Sequence, residues 1–99
     1  MSNAEHIEAL AADIGDIVYI DVAKWHLYLN NAHLHIPLAE ALYPLVIAGD
    51  LSRAKVTDIL KSMKVRLGDG KLEVELLDLI PSQCQTELMD FLEEYQRNL

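Results

Sequence analysis

The 99-residue chain has one cysteine, Cys84, so it has neither an internal disulfide nor the paired-cysteine spacing of a structural zinc site. Basic residues are scarce: eight lysines and arginines against sixteen aspartates and glutamates leave a formal net charge of -8. That balance argues against nonspecific binding of nucleic acid or an anionic membrane by the chain as a whole, because phosphate binding needs a basic footprint. Long apolar runs are missing as well. The longest, residues 17–29, is interrupted by Asp21, Lys24 and His26 and is too short to cross a bilayer. The first twelve residues carry Glu5 and Glu8 where an export signal would be basic, and they contain no continuous apolar stretch. These absences predict a cytoplasmic protein without a membrane span. No glycine-rich phosphate loop, nucleophile elbow, zinc-protease helix or dinucleotide fingerprint occurs, so no catalytic residue and no cofactor is nominated.

What is present suits one folded domain spanning residues 1–99. Apolar and aromatic residues make up 52% of the chain and charged ones 24%, which is globular rather than disordered composition. A first helix is expected over residues 3–13, with Ile7, Leu10, Ala11 and Ile14 on one face and a break or kink at Gly15. A second is expected from Asp16 onward, with Val18, Val22, Trp25, Leu29 and Ala32 on one stripe and Ile20, Ala23, Leu27 and Leu34 on nearly the opposite side. Pro37 suits the first turn of a further helix to Ala48, and Pro44 inside it should kink it near Tyr43. Ser52 is placed to cap a helix reaching about Met63.

The period then changes. Val65 and Leu67 alternate with Lys64 and Arg66, Gly68-Asp69-Gly70 is a turn signal, and Leu72, Val74 and Leu76 alternate with Glu73 and Glu75. This predicts a β-hairpin over about 64–76 with one apolar face. Ser82 and Gln85 have capping-box spacing ahead of a last helix striped by Cys84, Leu88, Phe91, Leu92 and Tyr95. The fold class expected is therefore α+β, mainly α, with four or five helices and a hairpin before the C-terminal one.

Three of the four histidines fall at 26, 33 and 35, near Asp21, Tyr28 and Glu40. On a straight helix His26 and His33 lie two turns apart, roughly 10 Å along the axis, and cannot chelate one ion. His33, His35 and Glu40 could converge only through extended backbone before Pro37, which makes them the candidates for a small-ligand or metal site. Otherwise the histidines border the apolar stripe and hydrogen-bond at its edge. Cys84 sits on the apolar stripe of the last helix, with no base nearby in sequence, and reads as a buried small hydrophobe.

Two surfaces suggest interaction. A helix apolar on two sides in so short a chain has little to cover both, so Ile20, Trp25, Leu27 and Tyr28 are read as an interface with a second copy. Six of the eight basic residues fall between Arg53 and Lys71, opposed there only by Asp58 and Asp69. Within that segment Lys61, Lys64 and Arg66 are the candidate patch for docking onto an acidic protein surface, with an anion or nucleic-acid contact and a solvated face as the alternatives.

The run I17-V-Y-I-D-V-A-K-W-H-L-Y-L-N-N-A-H-L-H35, the following L38-A-E-A-L-Y-P44, and L79-I-P-S-Q-C-Q85 with L92-E-E-Y-Q96 resemble a family of small uncharacterised cyanobacterial proteins over most of the chain. The resemblance implies an intracellular setting in a photosynthetic organism, with a connection to plastid-type physiology. It carries over no activity and no catalytic residue. Together these readings point to a small non-enzymatic interaction or regulatory protein that self-associates as a homodimer and meets a further protein partner.

Overall fold

The structure is a computed structural model that describes residues 3–22, 25–67 and 72–98; of Asn3, Val22, Trp25 and Leu67 it describes the backbone alone. Among these residues are five helices and two separate antiparallel strand pairs, an α+β, mainly α fold. The order is α1 (Asn3–Ile17), β1 (Tyr19–Val22), β2 (Trp25–Tyr28), α2 (His35–Ile47), α3 (Arg53–Ser62), β3 (Lys64–Leu67), β4 (Leu72–Glu75), α4 (Leu76–Leu79) and α5 (Ser82–Arg97).

The first departure from the expected pattern is at Gly15, which sits inside α1 instead of ending it. A Cβ there would lie 2.7 Å from Cβ of Asn30 and 3.2 Å from Cβ of His35. The glycine lets the turn after β2 pack directly on the helix. The second departure is larger. No helix follows Asp16; Tyr19–Val22 pairs with Trp25–Tyr28 as a hairpin, in the register Tyr19 with Tyr28, Ile20 with Leu27, Asp21 with His26 and Val22 with Trp25. The segment is rich in β-branched and aromatic residues, which pack well on a pleated surface. Val18, Ile20 and Leu29 are buried, while Asp21, His26 and Tyr28 are exposed. That is the period of two of a half-buried strand pair. The two-striped helix that argued for a shared face is therefore absent. Of the residues assigned to its second stripe, Ile20 is buried and Leu27 and Leu34 pack on the core, while Ala23 lies outside the described residues.

α2 begins at His35, holds Pro37 in its first turn and continues through Pro44. Leu38, Ala39, Leu42, Tyr43 and Val46 of this helix are buried against α1, α3 and α5. The Tyr43 hydroxyl lies 3.0 Å from Nδ1 of the part-buried His6, which satisfies its polar end. Ser52 caps α3 as its spacing predicts, its Oγ accepting from the backbone N–H of Lys55 at 3.2 Å. β3 and β4 form the expected hairpin, although its Gly68-Asp69-Gly70 turn lies outside the described residues. The pairing stops at Glu75, and Leu76 opens the single turn α4 instead of ending the strand. α5 starts after Pro81, and Ser82 makes no capping bond; Gln85 instead donates from Nε2 to the carbonyl of Ile80 at 2.9 Å.

The core joins Leu10 and Ile14 of α1, Ile20 and Leu29 of the first hairpin, the apolar face of α2, Val56 and Leu60, Leu76 and Ile80, and Cys84, Leu88 and Leu92 of α5. Among the described residues no polar or charged side chain is buried.

Candidate functional site

The first hairpin has one face in the core and one outside. Ile20 is 2% exposed and Leu27 is half-buried on the core. On the opposite face the register brings Tyr19 beside Tyr28 and Asp21 beside His26. The ring centroids of Tyr19 and His26 are 4.1 Å apart at 33°. Tyr28 stands edge-on to both, 5.8 Å from Tyr19 at 67° and 5.6 Å from His26 at 80°. Offset and edge-to-face rings at such distances attract one another, which holds the cluster in shape without burying it. Nδ1 of His26 lies 3.1 Å from Oδ1 of Asp21, so the carboxylate fixes the imidazole's orientation.

The cluster is held from below at the junction of α1 and β1. Cys84 of α5 is fully buried; its Sγ accepts from the backbone N–H of Tyr19 at 3.4 Å and donates to the carbonyl of Ile17 at 3.7 Å. The N–H of Leu29 donates to the carbonyl of Val18 at 2.9 Å, and Nδ2 of Asn30 donates to Oδ1 of Asp16 at 3.0 Å. Burial raises the Cys84 thiol above its ordinary range, and the N–H of Tyr19 only partly offsets this. The thiol is thus a structural contact rather than a nucleophile. The Tyr19 hydroxyl is also pushed up, by desolvation first, with smaller contributions from Cys84, Asp21 and Glu87. The exposed carboxylate of Asp21 gives the outer face its negative charge.

The other sequence candidates fall elsewhere. Of the expected interface residues, Ile20 and Leu27 face inward, Tyr28 is 40% exposed on the outer face, and the side chain of Trp25 lies outside the described residues. His33 sits exposed in the turn before α2 with a left-handed φ of 59°, a conformation histidine tolerates better than most side chains. His35 opens α2 with Nδ1 enclosed and without a hydrogen-bond partner, while Glu40 is exposed and borders a shallow groove with Ala4, Ile7, Glu8 and Ile36. Among the described residues no three histidine, cysteine or acidic side chains are grouped to hold a metal.

Lys61 is exposed in the last turn of α3, but Lys64 and Arg66 are compensated across the second hairpin. Nζ of Lys64 lies 3.7 Å from Oε2 of Glu75, and Nε of Arg66 lies 3.7 Å from Oε2 of Glu73. At the other end of the segment Lys55 pairs with Asp50. A cluster that reads as a block of positive charge along the chain is thus interleaved with carboxylates in space.

A family model described as a protein of unknown function, DUF3181, matches residues 7–95. The chain belongs to this family. The match bears out the resemblance carried by the phrases around Trp25, Pro44 and Cys84. A chain from Synechocystis, named thylakoid-associated protein, is 53% identical over 95 residues, covering 96% of this chain and 94% of the relative. No solved structure matches. No helix among the described residues is long and apolar enough to cross a membrane.

Proposed function

We propose that this chain is a non-enzymatic docking protein whose contact surface is the outer face of β1 and β2. The observation that carries this reading is the outer-face group of three rings, Tyr19, His26 and Tyr28, with the carboxylate of Asp21 held against His26. Aromatic side chains offer large contact area at little entropic cost and anchor interfaces, and His26 and Tyr28 are exposed rather than packed in the core. The relative's name, thylakoid-associated, supplies the setting in which we place this chain's partner. An overall charge of -8 opposes adsorption to anionic lipid and favours a protein partner.

The test replaces His26 and Tyr28, both exposed, by serine and follows the chain in thylakoid membrane fractions of a cyanobacterium. The parent should sediment with the membranes, and the double variant should shift to the soluble fraction while keeping its circular dichroism spectrum. An unchanged distribution would sink the reading.

Self-association is retained on a different surface from the one the sequence suggested. β3 and β4 form an isolated two-stranded ribbon, and Leu72 on its apolar face is 55% exposed. Such a ribbon is marginal by itself and gains by meeting a second one. Light scattering at micromolar concentration should give a mass above one chain, reduced to one chain by Leu72→Lys. A monomer at every concentration would remove the homodimer.

A further inference from the structure

We propose that the outer face of the first hairpin receives an arginine side chain from a basic segment of the partner. The inference rests on the docking reading above and names what docks. Three properties of the face select that occupant.

The first is charge. Asp21 is an exposed carboxylate on the ring-bearing face, and among the described residues one of its oxygens alone is engaged, by His26. The face thus has negative charge left over for a partner.

The second is hydrogen-bond polarity. In the tautomer whose Nδ1–H donates to Asp21, Nε2 of His26 is an acceptor. The second oxygen of Asp21 and the lone pairs of the two tyrosine hydroxyls are acceptors too. A ligand rich in donors and without acceptors matches this set, and a guanidinium has five N–H donors in a planar fork.

The third is ring geometry. Tyr28 stands at 67° to Tyr19 and 80° to His26, so the cluster offers both ring faces and ring edges in one small area. Cations are drawn to the negative faces of aromatic rings, and the planar guanidinium can stack there while its edge reaches a carboxylate. An ammonium group satisfies the charge but not the stacking. A phosphate or carboxylate ligand would meet like charge, with only the two tyrosine hydroxyls to donate to it.

The experiment titrates the full-length chain with an unstructured, end-blocked peptide of arginines spaced by glycine and serine, read by aromatic NMR resonances. Two further probes are the same peptide with each arginine replaced by citrulline, which keeps the shape and loses the charge, and phosphatidylcholine vesicles. The arginine peptide should move the resonances of Tyr19, His26 and Tyr28 before any others. Citrulline should weaken binding at least about tenfold, in keeping with the loss of charge-assisted bonds. Tyr28→Ala, which leaves the charge untouched, should weaken it about three- to fivefold. Asp21→Asn should weaken it more than Asp58→Asn, an equal loss of charge on the exposed side of α3.

Shifts spread evenly over the acidic surface, equal effects of Asp21→Asn and Asp58→Asn, or indifference to Tyr28→Ala would each reduce the binding to nonspecific attraction by an acidic protein and overturn the proposal. Vesicle binding at the rings without peptide binding would also overturn it, in favour of a choline headgroup. If the peptide fails while the His26 and Tyr28 serine variant still leaves the membranes, docking stands and the arginine assignment falls. If that variant stays on the membranes, both fall.

Discussion

Replacing Leu42 by alanine should lower the folding stability by about 2–5 kcal/mol, the largest single loss expected in this chain. Leu42 is fully buried in α2, the helix that packs on α1, α3 and α5 together. Deleting its isopropyl group removes buried apolar area and opens a cavity that three neighbours would have to move together to close. Domains of this size have only about 5–15 kcal/mol in total, so urea unfolding should show a much lower midpoint with an unchanged slope. Leu72→Ala is the internal comparison. That leucine is more than half exposed, and its loss should cost under about 1 kcal/mol in the single chain. Similar losses at the two sites would contradict the placement of the core.

Gly15→Ala carries the second-largest effect, and two forces of opposite sign meet there. Inside a helix alanine is favoured over glycine by up to about 1 kcal/mol. Against this, the new methyl would stand 2.7 Å from Cβ of Asn30 and 3.2 Å from its backbone N. Carbon atoms prefer about 3.5–4.0 Å. The obstructing atoms belong to the stem of Asn30 and to main chain, neither of which swings aside cheaply. Overpacking of this kind costs about 1–3 kcal/mol, so the net result should be destabilisation by about 1–2 kcal/mol, with faster amide exchange at Leu29 and Asn30. A gain in stability would mean that the turn yields and the close approach is incidental.

Gly15 also shows why part of the fold was legible and part was not. The sequence marks it as unusual, but a glycine that breaks a helix and one that admits a neighbour look alike until the neighbour is known. Residues 16–34 misled for a related reason. Where apolar residues are dense, steps of three and four can be found in a strand as readily as in a helix. The discriminating signal was the alternation of Val18, Ile20 and Val22 with Tyr19 and Asp21, matched by Leu27 and Leu29 against His26 and Tyr28. The helix reading absorbed these residues into two stripes. By contrast Ser52, the Lys64–Leu67 alternation and the Cys84, Leu88 and Leu92 spacing each have one local interpretation, and α3, β3 and α5 are where those signals put them.

The candidate site followed the same division. The nearness of His26 to Asp21 and Tyr28 along the chain could be noticed, but only strand register turns that nearness into a shared face. Tyr19 joins it from the opposite strand, which no helical reading would supply. Charge, too, depends on what folds back beside it. Six basic residues lie close in sequence, yet Glu73 and Glu75 are brought across to Arg66 and Lys64 by the return strand. Sequence blocks of charge report a surface patch only where the chain does not double back.

The sulfur contact beneath Tyr19 has a consequence for the order in which the protein can be completed. Cys84 is 65 residues downstream of the backbone group it meets. While the chain is being made, β1 and β2 emerge long before α5 can seal the junction below them. A nascent chain stopped short of α5 would therefore carry the Tyr19, His26 and Tyr28 surface on an unsupported hairpin, a structure that is marginal alone. Under the proposed docking role, recognition is tied to the arrival of the last helix, so a prematurely terminated chain should be unable to compete with the finished protein for its partner.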